Sequence, residues 1–177
     1  EVLTAACRER KNMIPQIKKI LFATDLSKNS AYAFYYAVHM AKRDEAKIVI
    51  LHAVEPLPPM LISFGDFSHK VARDRWDETA KKFKERIQDI SVKVDTRTGI
   101  SSVDLVSKIL IRLGHPVEEI LKTVDEEGCD VIVLGTHSKG FLQQAFVGSV
   151  CNSVLHRTRK PVFVVPLPSE DATLDLI

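Results

Sequence analysis

The sequence feature that most constrains the fold is the stretch Val131–Val150, which reads VIVLGTHSKGFLQQAFVGSV. It begins with four consecutive apolar residues without a helical period, as is typical of a short strand buried on both faces of a sheet. Gly135 ends this run, and small and polar residues follow it. After Gly148, apolar residues recur at helical spacing, so Ser149 is predicted to be the N-cap of a helix.

A buried strand, a glycine-containing loop and a helix start can together form an anion site. Backbone N–H groups at a helix N-terminus are unpaired, and the helix dipole is positive there. Lys139 adds a cation within the loop. The alternative interpretation is an ordinary connection between a strand and a helix, in which Gly135 only ends the strand. The stretch by itself supports the two interpretations about equally.

Three further apolar runs predict strands of the same kind, namely Lys18–Thr24, Lys47–Val54 and Lys160–Val165. Pro161 lies near the start of the last run, where a strand tolerates it. Between the first two runs a helix is predicted, because good N-caps precede apolar positions at steps of three and four residues: Ser27, Asn29 and Ser30, then Ala33, Tyr36, Ala37, Met40 and Ala41. A strand, a helix and a strand in this order predict a right-handed parallel unit.

The middle of the chain begins with a segment rich in proline and glycine, Glu55–Phe67, which predicts an irregular loop. An amphipathic helix is then expected over Ser68–Ile90. Ser91–Ile111 is ambiguous, because Val92 and Val94 alternate with charged residues as they would in a strand.

The second half of the chain is expected to continue the alternation of strands and helices. A strand is favoured at Lys108–Leu113, followed by a helix that begins near Pro116 and ends at Gly128. The fourth strand is predicted at Asp130–Leu134. The chain is therefore predicted to be an α/β protein with an open sheet and helices on both faces. One domain is expected at residues 17–166, with an N-terminal extension at 1–16 and a C-terminal tail at 167–177.

Charge and composition argue against several classes of protein. Lys and Arg number 25 against 23 Asp and Glu, a net charge of +2, which gives no electrostatic case for nucleic acid binding. No apolar run approaches the roughly 18–20 residues that span a bilayer, and the first residues do not resemble a secretory signal. A cytoplasmic location without membrane contact is expected.

Neither the cysteines nor the histidines predict a metal site. The 3 cysteines, Cys7, Cys129 and Cys151, are far apart and form no CxxC pair, and the 6 histidines form no HExxH or HxH pair. Cys129 and Cys151 are expected to be core or near-core thiols. No disulfide framework and no bound metal are expected.

Several segments in a fixed order resemble the universal stress protein family. They are KKILFATDLS, IVILHAVE, GHPVEEI, DEEGCDVIVLGTH and the final GSV…VL…RKPVFVV, and together they cover about Lys18 to Val165. The resemblance implies a Rossmann-like fold of the adenine nucleotide alpha-hydrolase type, with a five-stranded parallel sheet in the order 3-2-1-4-5. It also implies a homodimer formed through the last strand, around Pro161–Val165.

Members of that family that bind ATP carry Gly-x-x-Gly, nine residues, and then Gly-Ser or Gly-Thr. Gly135 and Gly148-Ser149 fit this pattern at the correct spacing, but Ser138 replaces the second glycine. Ser138 keeps its backbone N–H donor, and a left-handed backbone at this position would cost about 1–2 kcal/mol. Several phosphate contacts of about 1.5–3 kcal/mol each can outweigh that cost.

The resemblance implies a nucleotide site that is built from four segments. Asp25 would lie near the adenine and ribose, with Ala23 as an apolar wall, and Ala53 and Val54 would contact the adenine. Gly135, His137, Ser138 and Lys139 would line the ribose and phosphates, and Gly148, Ser149 and Val150 would hold the triphosphate. The alternative role for Asp25 is that of a helix cap.

Three functions follow from these observations as hypotheses. The first is a homodimeric stress-response or regulatory protein that binds ATP, with or without Mg²⁺, or else AMP or cyclic AMP, and that acts on an unknown protein partner. The second, motivated by Ser138, is a dimeric interaction module that binds no nucleotide. The third is an enzyme, which is not expected because the sequence has no GxxxxGK[ST] or GxSxG motif, although slow ATP hydrolysis is left open.

Overall fold

A computed structural model describes residues 15–56, 66–136 and 148–166 of the protein. Its elements, in chain order, are β1 (Lys19–Ala23), α1 (Lys28–Asp44), β2 (Lys47–Val54), α2 (Asp66–Thr98), α3 (Ser102–Leu105), β3 (Val106–Leu113), α4 (Pro116–Glu126), β4 (Val131–Gly135), α5 (Ser149–Arg157) and β5 (Val162–Val165). Residues 1–14 of the predicted N-terminal extension, most of the loop over 55–67 and the C-terminal tail lie outside the described residues.

The five strands form one parallel sheet in the order β3-β2-β1-β4-β5, which confirms the predicted fold. β1 is the central strand, and Ile20 lies opposite Ile48 of β2 on one side and Val131 of β4 on the other. Because every strand runs in the same direction, all the carboxyl ends lie at one edge of the sheet.

The side chains of β1 alternate between two apolar cores, one on each face of the sheet. Ile20 and Phe22 pack with residues of α1 and α2, including Phe34 and Phe83. Leu21 and Ala23 pack on the other face with residues of α4 and α5. Burial on both faces explains why the strand sequences are apolar throughout instead of alternating with polar residues.

Helix α1 forms largely as its sequence predicts. Ser27 is the N-cap, and its side-chain oxygen accepts a hydrogen bond from the Ser30 N–H. Ala33 and Ala37 are fully buried against the sheet. Tyr36, which was predicted to lie on the same buried stripe, is instead 40% exposed and packs against Phe163 of β5 with ring centroids 5.8 Å apart.

The prediction of a possible strand around Val92 and Val94 was wrong. Helix α2 continues through both residues to Thr98, and Gly99 follows it with a left-handed φ of +66°. Val94 is fully buried because it continues the helical stripe of Ile87 and Ile90, whereas Val92 is 59% exposed. Two valines that alternate with charged residues therefore occur in a helix as well as in a strand, and so short an alternation does not distinguish between them.

The later elements begin and end near the predicted residues. β3 begins at Val106, two residues before the favoured Lys108, directly after the short helix α3. Pro116 occupies the first turn of α4, and Gly128, with φ of +62°, follows the last turn, as the sequence predicted. Cys129 and Cys151 are both buried, as expected. No helix in the described ranges is long and apolar enough to cross a bilayer.

Replacing Ile132 with alanine is expected to lower the free energy of unfolding by about 2–5 kcal/mol. Ile132 is fully buried on the strand between β1 and β5, so truncation leaves a cavity among well-packed neighbours. Urea unfolding followed by circular dichroism measures the change. The matched control is Ile109→Ala on the edge strand β3, where the side chain is 48% exposed. Equal losses in the two variants would contradict the assignment of the core.

Candidate functional site

A cavity of about 640 Å³ opens at the carboxyl edge of the sheet, between the ends of β1 and β4. The chain goes from β1 to β2 on one side, whereas β4 pairs with the other edge of β1, so this point is the switch point of the sheet, where open α/β sheets bind ligands. A volume of this size is within the range of small-molecule and cofactor sites, roughly 300–1,000 Å³. The cavity is therefore the candidate functional site.

Most of the residues that the sequence analysis predicted for the nucleotide site line this cavity. Seven of them line the cavity, namely Ala23, Asp25, Ala53, Gly135, Gly148, Ser149 and Val150. They lie in or directly beside β1, β2, β4 and α5, which are far apart in the sequence and are brought together by the sheet order.

Val54 is not among the lining residues, although the sequence analysis grouped it with Ala53. Its backbone carbonyl accepts a hydrogen bond from the Gly114 N–H at 2.9 Å, which ties the end of β2 to the exit of β3. His137, Ser138 and Lys139 lie outside the described residues, so their predicted contacts with ribose and phosphate stay predictions.

The turn between β1 and α1 is held by a dense set of hydrogen bonds around Asp25. The Asp25 Oδ1 atom accepts from the Ser27 N–H at 2.9 Å and so closes the turn that leads into the helix. The N-cap of α1 is Ser27, so the alternative role of Asp25 as the helix cap was wrong. The Thr24 hydroxyl accepts from the Leu26 N–H at 3.0 Å and is 2.8 Å from the Ser30 hydroxyl. Leu26 has a left-handed φ of +64°, an unusual conformation for a non-glycine residue that these bonds stabilise.

The N-terminus of α5 faces the cavity through its first turn. Gly148 is the N-cap and Ser149 is the first helical residue, so the prediction of Ser149 as N-cap was one residue late. The first bond within the helix runs from the Asn152 N–H to the Gly148 carbonyl at 2.9 Å. The N–H groups of residues 149–151 precede that bond and have no acceptor within the helix, which makes this end positive.

The thiol of Cys151 joins the start of α5 to the end of β4. Its Sγ donates to the Gly135 carbonyl at a distance of 3.4 Å, and the residue lines the cavity. Burial raises the pKa of the Cys151 thiol above its ordinary value, and the negative charge of Asp25 raises this pKa further. The thiol is therefore kept protonated at neutral pH.

The charged groups in the described lining are all acidic. Asp25 and Glu55 both line the cavity and are exposed, and no lysine, arginine or histidine is among the described lining residues. The positive end of α5 therefore lies in the same cavity as two carboxylates. Among the described residues no group of three or more histidine, cysteine or acidic side chains is arranged to hold a metal ion.

Sequence reasoning missed about half of the lining. The missed residues are Thr24, Ser30, Leu51, Glu55, Pro116, Ile120, Leu134 and Cys151. Leu134 directly precedes the predicted site residue Gly135, and one residue separates Leu51 from the predicted site residue Ala53. Both leucines end an apolar run, so their position near a strand end could have identified them. Pro116 and Ile120 give no such signal, because only the packing of α4 beside β1 and β2 brings them to the cavity.

A family model for the universal stress protein family matches residues 16–166 of the chain. The chain is similar to a universal stress protein of Methanocaldococcus jannaschii, with 27% identity over 165 residues that cover 84% of this chain and 94% of that protein. The solved structure of that relative has a TM-score of 0.67 at 25% identity and covers 88% of this chain and 100% of its own.

Two further solved structures share the fold at lower identity. One is a universal stress protein in complex with cAMP, with a TM-score of 0.55 and 19% identity over 87% of this chain and 100% of that one. The other is the universal stress protein from Archaeoglobus fulgidus in complex with dAMP, with a TM-score of 0.52 and 17% identity over 86% of this chain and 99% of that one. At these identities the likeness concerns the fold, and the nucleotides belong to those proteins.

Alkylation of Cys151 is expected to follow a pH profile displaced to higher pH than that of an unfolded thiol. Because the folded-state pKa is raised, the reactive thiolate is scarcer in the folded protein than in the unfolded chain at pH 8. The measurement is the iodoacetamide rate against pH for a variant in which Cys7 and Cys129 are replaced by serine.

The same variant in concentrated urea serves as the reference. Steric burial alone slows alkylation at every pH without displacing the profile, so the midpoint of the profile isolates the pKa effect. Coincident midpoints for the folded and unfolded protein would contradict the buried, hydrogen-bonded thiol seen in the structure.

Proposed function

The chain belongs to the universal stress protein family, and we propose that it is an adenine-nucleotide-binding regulatory protein of the stress response. One observation carries the proposal. A cavity at the switch point of the sheet collects small residues from β1, β2 and β4, an acid at the end of β1 and the N-terminus of α5. Relatives of the same fold solved with cAMP and dAMP support an adenine nucleotide as the ligand class.

The division of the lining suggests how a nucleotide would lie in the cavity. Ala53, Leu51 and Ile120 offer an apolar surface to the flat face of an adenine ring. The Asp25 carboxylate can accept hydrogen bonds from ribose hydroxyls. Gly148 and the N–H groups that follow it suit a phosphate, because a helix N-terminus favours anions.

The two carboxylates in the cavity disfavour a ligand with many negative charges, so the number of phosphates on the nucleotide affects its affinity. A triphosphate adds several negative charges to a cavity whose described lining already carries Asp25 and Glu55. Mg²⁺ or the side chain of Lys139 would offset this repulsion, and we therefore propose ATP with Mg²⁺ as the first ligand. AMP and cyclic AMP, which carry fewer charges, are the alternatives. The proposal assigns no catalytic residue.

A dimeric interaction module without nucleotide is the second candidate function. It is favoured by Ser138 in place of the motif glycine and by the acidic character of the described lining. It differs from the first candidate in one measurable respect, since it requires that no adenine nucleotide binds saturably.

We further propose that the protein forms a homodimer through β5. Among the described strands this one pairs only with β4, so within the described part of the chain its other edge has no partner strand and is available for pairing. Phe163 of β5 is 39% exposed and, with Tyr36 of α1, forms an aromatic patch beside that edge. Large exposed aromatic side chains next to an open strand edge are typical of a protein interface.

Equilibrium titration calorimetry with ATP, AMP and cyclic AMP, with and without Mg²⁺, tests the nucleotide proposal. We expect saturable binding, and we expect Asp25→Asn to weaken it about 10-fold to 100-fold, because charged hydrogen bonds to the ribose are lost. Asparagine keeps an oxygen that can accept from the Ser27 N–H, so the turn is preserved.

Asp89→Asn is the matched control, because Asp89 is an exposed acid on α2 that does not line the cavity. It is expected to leave the nucleotide affinity unchanged. If the unmodified protein shows no saturable binding of any of the three nucleotides, the first function is refuted and the interaction module remains.

Replacing Phe163 with aspartate is expected to shift the protein from dimer to monomer at micromolar concentration. A charge at this position would be desolvated in an interface through β5. Sedimentation equilibrium measures the oligomeric state. Leu113→Asp on β3, at the opposite edge of the sheet, is the control, because Leu113 is also a large exposed apolar residue. A dimer that survives Phe163→Asp but not Leu113→Asp would place the interface at the other edge.

A further inference from the structure

His52 lies on the face of the sheet opposite the candidate nucleotide cavity. Its neighbours along β2, Leu51 and Ala53, line the cavity, and successive side chains of a strand point to opposite faces. The imidazole stacks on the Phe83 ring of α2, with centroids 5.1 Å apart and an interplanar angle of 12°. The ring is therefore held in a fixed plane by a fully buried aromatic residue.

From this position the imidazole contacts the backbone of the neighbouring strand. The His52 Nδ1 atom is 2.8 Å from the Thr24 carbonyl oxygen. A carbonyl can only accept, so Nδ1 carries the proton in this contact. The N–H of Thr24 still makes a main-chain bond to the Leu51 carbonyl at 2.9 Å. The His52 side chain thus supports β1 one step beyond its last paired residue, Ala23.

The carbonyl that His52 holds belongs to the peptide group that leads into Asp25. Because a peptide unit is planar, fixing the Thr24 carbonyl also fixes the orientation of the Asp25 N–H and the direction in which Asp25 leaves the strand. On the far side of Asp25 the backbone is held by the Thr24 hydroxyl through the Leu26 N–H. The His52 contact and this bond hold the backbone on both sides of the acid.

We propose that His52 is a positioning residue for the nucleotide site, which acts through the Thr24 peptide to orient Asp25 toward the ligand. The role rests on the proposed function of the cavity. His52 itself does not line the cavity, because its ring lies on the opposite face of the sheet against Phe83 of α2. His52 restricts the conformations of the turn at Asp25 before the nucleotide binds, which lowers the conformational entropy that is lost on binding.

The test compares two substitutions of His52. His52→Asn places an amide N–H near the position of Nδ1 and is expected to keep the nucleotide affinity within about threefold. His52→Phe keeps an aromatic ring on Phe83 but has no donor, and it is expected to weaken nucleotide binding on the order of threefold to tenfold, the worth of one hydrogen bond. His39→Asn, at an exposed position of α1, is the control and is expected to change nothing.

A double-mutant cycle with Asp25→Asn separates positioning from general damage to the fold. If His52 acts through Asp25, His52→Phe has no further effect on affinity when Asp25 has already lost its carboxylate. Equal fold-losses in the two backgrounds would show a structural effect that is unrelated to Asp25, and would overturn the inference. Equal affinity in His52→Phe and the unmodified protein would also overturn it.

A second measurement does not depend on the ligand. A long-range ¹H–¹⁵N correlation spectrum of the unmodified protein is expected to show the His52 proton on Nδ1, because that atom donates to Thr24. A proton on Nε2 alone would refute the contact and the inference with it. If the spectrum shows the expected tautomer but no nucleotide binds, the proposed function fails, the ligand-positioning role fails with it, and the contact alone stands.

Discussion

The structure depends on the complete burial of β1 between β2 and β4. Ile20, Leu21 and Phe22 are fully buried, and each side chain belongs to a core on one or the other face of the sheet. A parallel strand in this position has both edges hydrogen-bonded and both faces covered, so β1 is apolar and buried from Ile20 to Ala23. The polar residues Thr24 and Asp25 follow directly at its carboxyl end.

That end is also the point where the sheet order changes direction, because β2 pairs with one edge of β1 and β4 with the other. The end of β4 and the N-terminus of α5 line the same cavity there. Backbone groups at the cavity are fixed by short-range contacts, such as that between the Cys151 thiol and the Gly135 carbonyl.

The errors of sequence reasoning have specific physical causes. Val92 and Val94 alternate with charged residues, and only the contact of Val94 with the core shows that the period is helical. Tyr36 has the spacing of a core residue, but it packs against Phe163 of β5 and stays 40% exposed. Spacing gives the direction of a side chain around a helix, whereas its burial depends on what lies opposite.

The sequence alone determined the order of the five strands and the four longer helices, because continuous apolar runs and capping residues are local signals; the short helix α3 was not predicted. It also indicated seven of the residues that line the cavity, through the resemblance of short segments to a family. Only the tertiary structure decided that Pro116 and Ile120 join them, that Val54 does not, and that His52 supports the Asp25 turn from the far face. These are contacts between segments distant in the chain, and no local pattern of residues encodes the distance between them.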